Sequence, residues 1–219
     1  MMHRWLSLQL AAPLMSFGGV SIDHVGPTRK FPAASALTGL FANALGWRRE
    51  QTQDHQALQD RIEFGAVNAR VGRLITDVQN AKLEKSDKGW TTFGQPEGRS
   101  GDTYASPHRR RRDYLADHDC RVVVRLIEGL GPSLDDLATA VQRPARPLFI
   151  GRKPCLPSVP LFQGWIEATD VKSALVALGI SGPAIWPRTD EDIAADLPDL
   201  RNWQTGLHGG SRQICEGVL

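Results

Sequence analysis

Cysteine is scarce in this chain, and the three cysteines that occur are far apart. Cys120, Cys155 and Cys215 form no C-x-x-C pair, the spacing that is typical of zinc sites and redox motifs. The sequence therefore predicts neither a disulfide framework nor a structural zinc site, and we expect no metal ion. Unpaired cysteines of this kind fit the reducing cytoplasm, which is where we expect the protein to reside.

Long apolar runs are also missing. No stretch approaches the roughly 18 apolar residues that a membrane-spanning helix needs. The N-terminal segment could be mistaken for a signal peptide, but Leu6, Leu8 and Leu10 alternate with polar residues and Pro13 ends the run. A period of two predicts a β-strand, so we expect no targeting helix and no membrane association.

The common catalytic signatures are absent as well. Gly18-Gly19 and Gly209-Gly210 lack the spacing of a phosphate loop, and the sequence has no G-x-S-x-G motif and no H-x-E motif with a C-x-x-C pair. The motifs therefore predict no cofactor and point to no particular enzyme class.

Charge of one sign is not in large excess, but the cations are concentrated. The formal net charge is only +2, yet His108 is followed by a run of arginines from Arg109 to Arg112. Such a run is usually a solvated face. Here it lies in mid-chain between two strand-like segments, so a binding patch is an equally good interpretation.

The segment from Pro27 to Gly46 predicts a basic turn followed by an amphipathic helix. Pro32 precedes the helix, and Ser35 is a candidate cap or first-turn residue. Apolar residues at i, i+3, i+4 and i+7 define one helix face: Leu37, Leu40, Phe41 and Ala44. Because helix N-termini favour anions, we expect the turn at 28–30 to bind a phosphate; solvated cations at an ordinary helix start are the alternative.

The remaining patterns predict an α+β fold. The expected elements are a strand at 5–11, helices at 34–45 and 55–62, a hairpin of Phe64–Val71 and Leu74–Val78 about Gly72-Arg73, a strand at Cys120–Ile127, a helix opened by a capping box at Ser133–Asp136, strands at 147–150 and 164–168, and a helix at 170–178. This order is close to the βαββαβ ferredoxin-like arrangement. The polar stretch 80–113 has no helical period and is longer than ordinary loops, so we expect it to be functional or disordered.

Two segments carry a family resemblance. FPAASALTGLFANALG fits the pattern F-P-x-x-S-x-L-x-G-L-helix-G, and FIGRKPCLPSVPLF fits Y-[IL]-G-R-[RK]-x-C-x-[LP]-x-x-P-L-F. Together they resemble the CasD family, the five-type subunit of type I-E CRISPR Cascade complexes, over roughly Leu6 to Leu178. The resemblance implies a ferredoxin-like (RRM-like, RAMP) RNA-binding core over 1–79 and 114–180, a long inserted β-hairpin thumb at 80–113, and a tail at 181–219 that remains unassigned.

The same resemblance implies a function in antiviral defence. It implies a non-catalytic RNA-binding subunit that caps the 5′ handle of the CRISPR guide RNA and contacts the CasC backbone subunit and the large CasA subunit, with target DNA bound through the complex. RNA binding needs cations for phosphates and flat side chains for bases. The expected contacts are Phe17, Thr28, Arg29, Lys30, Ser35, Lys82, Lys85, Lys88, Trp90, His108, Arg109, Arg110, Arg111, Arg112, Tyr114, Arg152 and Lys153.

The rival interpretation is a metal-independent endoribonuclease that processes CRISPR precursor RNA. The type I-C counterpart of the family cuts with a Tyr, a Lys and a His, and the candidates here are His24, Lys30, Tyr104, His108 and Tyr114. In type I-E systems a different subunit, CasE, cuts the RNA, so we expect no catalysis. A protein scaffold without RNA contact is the third interpretation.

Overall fold

The computed structural model describes residues 1–20, 24–81, 88–90, 96–98, 108–189 and 194–219, with the backbone alone at 88–90, 96–98 and 108. The helices are α1 (Ala34–Ala44), α2 (Thr52–Arg61), α3 (Leu134–Gln142) and α4 (Val171–Ala177). The strands are β1 (His3–Met15), β2 (Val25–Gly26), β3 (Ile62–Arg70), β4 (Arg73–Ala81), β5 (Lys88–Trp90), β6 (Pro96–Gly98), β7 (His108–Leu126), β8 (Phe162–Ala168), β9 (Pro183–Pro187), β10 (Ala195–Arg201) and β11 (His208–Val218). None of these helices is long and apolar enough to cross a membrane.

The fold is a mixed α/β structure built on one large sheet. Its strands follow the order β10-β11-β9-β3-β7-β1-β8, and all neighbours in this order are antiparallel. The short strand β2 pairs with β7 in parallel, while β5 and β6 form a separate two-stranded ladder.

Strand β7, with 19 residues, is the longest element and organises the sheet. Its second half lies between β1 and β3, and its first half lies between β4 and β2. β3 and β4 therefore pair with successive segments of β7 rather than with each other. The predicted hairpin about Gly72-Arg73 is wrong. Gly72 is needed for a different reason: a Cβ there would lie 2.2 Å from the carbonyl oxygen of Ala116, so only glycine allows this close approach of two backbones.

Two apolar clusters pack on opposite faces of the sheet. The larger cluster joins alternate residues of β1 and β7 to the inner faces of α1 and α3, and it includes the four helix residues predicted from their spacing: Leu37, Leu40, Phe41 and Ala44. The smaller cluster packs α4 against β9 and the other sheet face. The period-two pattern of β1 is thus explained, because its side chains enter both clusters.

Local signals located the helices well. The side chains of Ser133 and Asp136 form the predicted capping box at the start of α3, and Asp170 caps α4. Ser35 is a first-turn residue of α1 rather than its cap, since Ala33 holds the cap position without a side-chain bond. The strand expected at 147–150 is wrong, because that segment is irregular. The unassigned tail forms three strands of the sheet, β9 to β11.

Candidate nucleic-acid interface

The basic turn before α1 is held by two neighbouring segments. The backbone N–H of Phe17 donates to Oγ1 of Thr28 at 2.9 Å, and the N–H of Arg29 donates to the carbonyl of Gly18 at 2.9 Å. The guanidinium of Arg29 donates to the carbonyl of Pro198 at 2.8 Å. Lys30 is exposed. Thr28 therefore has a structural role in this turn, while Lys30 projects a charge into solvent.

A carboxylate of the protein already occupies the N-terminus of α1. Oδ2 of Asp199 accepts from the N–H of Ala34 at 3.1 Å and from Nε of Arg212 at 2.9 Å. The Asp199 side chain is fully buried. Burial lowers the pKa of Arg212, and the charge of Asp199 opposes that shift. The phosphate that the sequence predicts at this helix end is thus replaced, at the N–H of Ala34, by an internal anion.

The loop after α3 approaches the end of β1 closely. Gly151 has φ +86°, and a Cβ there would lie 1.5 Å from the carbonyl oxygen of Ser16. The loop is closed by backbone bonds from Ile150 to Cys155 at 2.7 Å and from Cys155 to Arg152 at 2.8 Å. Burial also raises the pKa of the Cys155 thiol, so this cysteine belongs to the packing of the loop.

Arg152 connects the three cationic segments that the sequence placed far apart. Its guanidinium donates to the carbonyl of Gly26 at 2.9 Å, next to the basic turn, and to the carbonyl of Asp113 at 3.0 Å, at the end of the arginine run. The same group lies 4.7 Å from the ring centroid of Tyr114. Lys153 follows directly and is exposed. Arg152 thus links the backbone beside the basic turn to the end of the arginine run.

The arginine run lies on a two-stranded extension that we call the arm, formed by β4 and by residues 108–116 of β7. Every residue of β4 is exposed. Side chains alternate along a strand, so Arg109 and Arg111 share one face, where they pair with Asn80 and Val78. Arg110 and Arg112 occupy the other face. In the described part of the chain, none of these four arginines forms a salt bridge.

Beside the arm base lies a groove of about 600 Å³, which we call the basic groove. Its walls come from four parts of the chain: the turn at 16–19, the outer side of α1, the loop at 149–152, and the C-terminal hairpin formed by β10 and β11. Three arginines line it, Arg29, Arg152 and Arg201, together with His208. Asp199 is the acidic lining residue, and it is neutralised by Arg212.

Two of the predicted base-stacking rings are in the interior. Phe17 is 3% exposed and lies edge-on to His118, and Tyr114 is 7% exposed beneath Arg152. Neither ring offers an open face in this arrangement, so the prediction that they stack on bases is wrong. Several other predicted residues lie outside the described residues, entirely or by their side chains: Lys82, Lys85, Lys88, Trp90, Tyr104 and His108.

The candidate nuclease residues that the structure describes differ in their exposure. His24 and Lys30 are exposed, whereas Tyr114 is buried. A further histidine, His118, is buried and has a lowered pKa because of desolvation. Its Nδ1 accepts from the N–H of Gly72 at 3.0 Å, so its Nε2 donates to Asn68 at 3.0 Å. Within the described ranges no group of His, Cys, Asp and Glu residues is arranged to hold a metal ion.

Sequence reasoning missed the contribution of the C-terminal hairpin. The connection between its strands is fastened to α2 by Gln59, which bonds the backbone of Arg201 in both directions and accepts from Nε1 of Trp203 at 3.1 Å. The Trp203 ring packs on His55 with centroids 4.6 Å apart. The available signal was the glycine at 206 and the pair at 209–210, which are typical of turns between strands.

Comparisons with known proteins agree with this architecture. Residues 5–215 match the model of a family described as CRISPR-associated protein (Cas_Cas5). The chain is 30% identical over 175 residues to the CRISPR system Cascade subunit CasD of Escherichia coli (strain K12), which covers 80% of this chain and 77% of that protein.

Two solved structures share the fold. A chain described as CRISPR RNA-guided surveillance complex superposes with a TM-score of 0.75 at 23% identity, covering 98% of this chain and 89% of that one. A second, described as Crystal structure of Cas protein, gives a TM-score of 0.64 at 22% identity and covers 98% of this chain and 94% of that one.

Proposed function

The chain belongs to the Cas5 family of CRISPR-associated proteins, and from this premise we propose that it is a non-catalytic RNA-binding subunit of a type I-E Cascade complex. Its task in this proposal is to cap the 5′ handle of the guide RNA, in the cytoplasm, as part of antiviral defence. Its partners are the guide RNA, the CasC backbone subunit and the CasA large subunit, with target DNA reached through the complex. The relative from Escherichia coli is itself named a Cascade subunit, which supports membership of such a complex.

The order of the central strands supports an RNA-recognition core. β8, β1, β7 and β3 lie side by side and antiparallel, and α1 and α3 fall within the connections β1–β3 and β7–β8. This is the succession of a βαββαβ ferredoxin-like unit, the scaffold on which RRM domains bind RNA. The arm leads into the thumb that we propose at 80–113, most of which lies outside the described residues.

The convergence of cations at Arg152 is the observation that carries the proposal. Arg152 bonds both Gly26 and Asp113, so the turn at 28–30, the start of β7 and the loop at 152–153 form one cationic region. Phosphate contacts supply most of the affinity for single-stranded RNA. A surface that gathers cations from three distant segments is therefore suited to following an RNA backbone.

The test is the salt dependence of binding to the repeat-derived 5′ handle. With five or six phosphates contacted, log affinity against log salt should have a slope of about −4, since each contact contributes about −0.7 for a single strand. Arg109→Ala combined with Arg111→Ala should reduce that slope by about 1 to 2 units. The matched control is Arg49→Ala with Arg143→Ala, because both arginines are exposed and lie neither on the arm nor in the basic groove.

The result separates handle capping from a protein scaffold without RNA contact. Equal slopes for the arm variant and the control would place the arm outside the RNA path. If the protein binds handle RNA no better than a scrambled RNA of equal length, handle capping is contradicted. If it binds neither RNA, the interpretation as a protein scaffold without RNA contact is favoured.

We also propose that the chain does not cut RNA. Purified protein is incubated with the cognate repeat hairpin in EDTA, because the rival chemistry needs no metal. Binding without cleavage is the expected result. A general acid or base contributes about 10² to 10⁴-fold, so discrete cleavage that disappears in His24→Ala, His108→Ala or Tyr114→Phe would identify the protein as the endoribonuclease instead.

A further inference from the structure

Phe149 has an unusual position for a large apolar residue. Its neighbours Leu148 and Ile150 both pack into the larger core cluster, but Phe149 belongs to neither cluster and is half-buried. It lines the basic groove. Among the described residues, no aromatic ring or cation stacks on its ring. The ring is thus held at the groove wall without a stacking partner.

The groove around Phe149 is built for a polyanion rather than for an apolar ligand. Arg29, Arg152 and Arg201 reach it from three separate segments, and Asp199 is already paired with Arg212. Nε of Arg201 is buried without a hydrogen-bond partner in the described residues. An aromatic face next to several cations is the combination with which proteins hold single-stranded nucleic acid.

The shape of the groove also suits a nucleotide. Its volume of about 600 Å³ lies within the range of about 300–1,000 Å³ that small-molecule sites have. Gly18 forms part of the groove wall, and a Cβ there would meet nothing within 4 Å, so a ligand can approach the backbone closely at this position.

From these observations we propose that Phe149 stacks on one unpaired base of the bound RNA, whose phosphates lie against Arg29, Arg152 and Arg201. This inference rests on the proposed RNA-binding function and adds the site of one base. The residue replaces Phe17 and Tyr114 as the aromatic platform, because those two rings are buried.

The experiment pairs protein variants with abasic RNAs. The full-length protein and its Phe149→Ala, Phe149→Leu and Phe149→Trp variants are titrated with handle RNA and with a series of RNAs that each lack one base. Stacking of one base contributes about 5- to 150-fold in affinity. We expect Phe149→Ala and Phe149→Leu to lose affinity in that range, and Phe149→Trp to retain it.

The abasic series separates stacking from a general effect on the fold. At one position of the RNA, removal of the base should weaken wild-type binding and make the Phe149→Ala change silent. At the other positions Phe149→Ala should still reduce affinity. Leu130→Ala is the matched control, since Leu130 is 91% exposed and does not line the groove.

Each outcome bears on the inference. Wild-type affinity in Phe149→Leu, or an equal loss in Phe149→Ala with every abasic RNA, would overturn it while leaving handle binding in place. Failure of the wild-type protein to bind the handle would overturn the proposed function, and this inference with it.

Discussion

The ion pair of Asp199 and Arg212 makes the clearest stability prediction. Asp199→Ala removes the carboxylate that accepts from Arg212 and from the N–H of Ala34. The change leaves the guanidinium of Arg212, whose side chain is only 18% exposed, without a counter-ion. Removing one partner of a buried pair costs about 3–5 kcal/mol, mainly because the other charge stays buried. For a chain of this size, that loss lowers the melting temperature by about 6–20 °C.

The assay is urea unfolding at neutral pH, with an exposed ion pair as the control. Arg4 and Asp135 also form a salt bridge, but their side chains are 44% and 66% exposed, so Asp135→Ala should cost no more than about 1 kcal/mol. Adding Arg212→Met to Asp199→Ala should recover part of the loss, because an apolar side chain can pack on the ring of Phe64, where the Arg212 guanidinium now lies at 4.0 Å. A cost for Asp199→Ala equal to that of Asp135→Ala would refute the reasoning.

Two further predictions concern His118 in β7 and Gly151 in the loop after α3. The pKa of His118 is lower in the folded protein than in the unfolded chain, so the unfolded chain takes up the imidazole proton first as the pH falls. The stability that neutral His118 contributes is therefore complete above about pH 6.5 and is lost as the pH falls through the folded-state pKa. Urea unfolding between pH 5 and 8 should therefore show a steeper loss for the wild type than for His118→Gln, and parallel curves would contradict this. Gly151→Ala should destabilise the fold far more than Gly179→Ala, although both residues have positive φ, because a Cβ at 151 meets Ser16 at 1.5 Å and one at 179 meets nothing within 4 Å; equal melting temperatures would count against that steric argument.

Elements with a local cause were predictable from the sequence. The inner face of α1 follows from apolar spacing, and the start of α3 follows from Ser133 and Asp136, which satisfy each other within one turn. The family resemblance likewise rests on two short segments, and the chain belongs to the family that they indicated. In each case the signal is carried by short stretches of consecutive residues.

Elements with a long-range cause were not predictable. Gly72 looked like a turn residue, but the backbone that it must accommodate is that of Ala116, in another strand. The partners of α1 at its N-terminus, Asp199 and Arg212, come from a tail without a recognisable pattern. Phe149 begins one of the two motif segments, but its absence from both core clusters and its place in the groove wall are visible only in the structure.

The cationic segments combine a local signal in the sequence with a long-range arrangement in the fold. Arg29, Arg109 and Arg152 were identifiable singly from their local context, but no spacing in the sequence indicates that Arg152 bonds the backbone beside the other two segments. Burial likewise removed Phe17 and Tyr114 from the aromatic candidates, since exposure depends on what the remainder of the chain covers.

The length of β7 has a consequence for how this protein can change in evolution. Ala81 and His108 are already paired across the end of the arm, so the sheet holds these two residues together whatever the length of chain that joins them. For a flexible connection, doubling the length costs only about 0.6 kcal/mol. The number of residues between these two positions can therefore change with little loss of stability. The arm itself cannot be replaced as an independent unit, because its second strand is the first half of β7, which continues into the core.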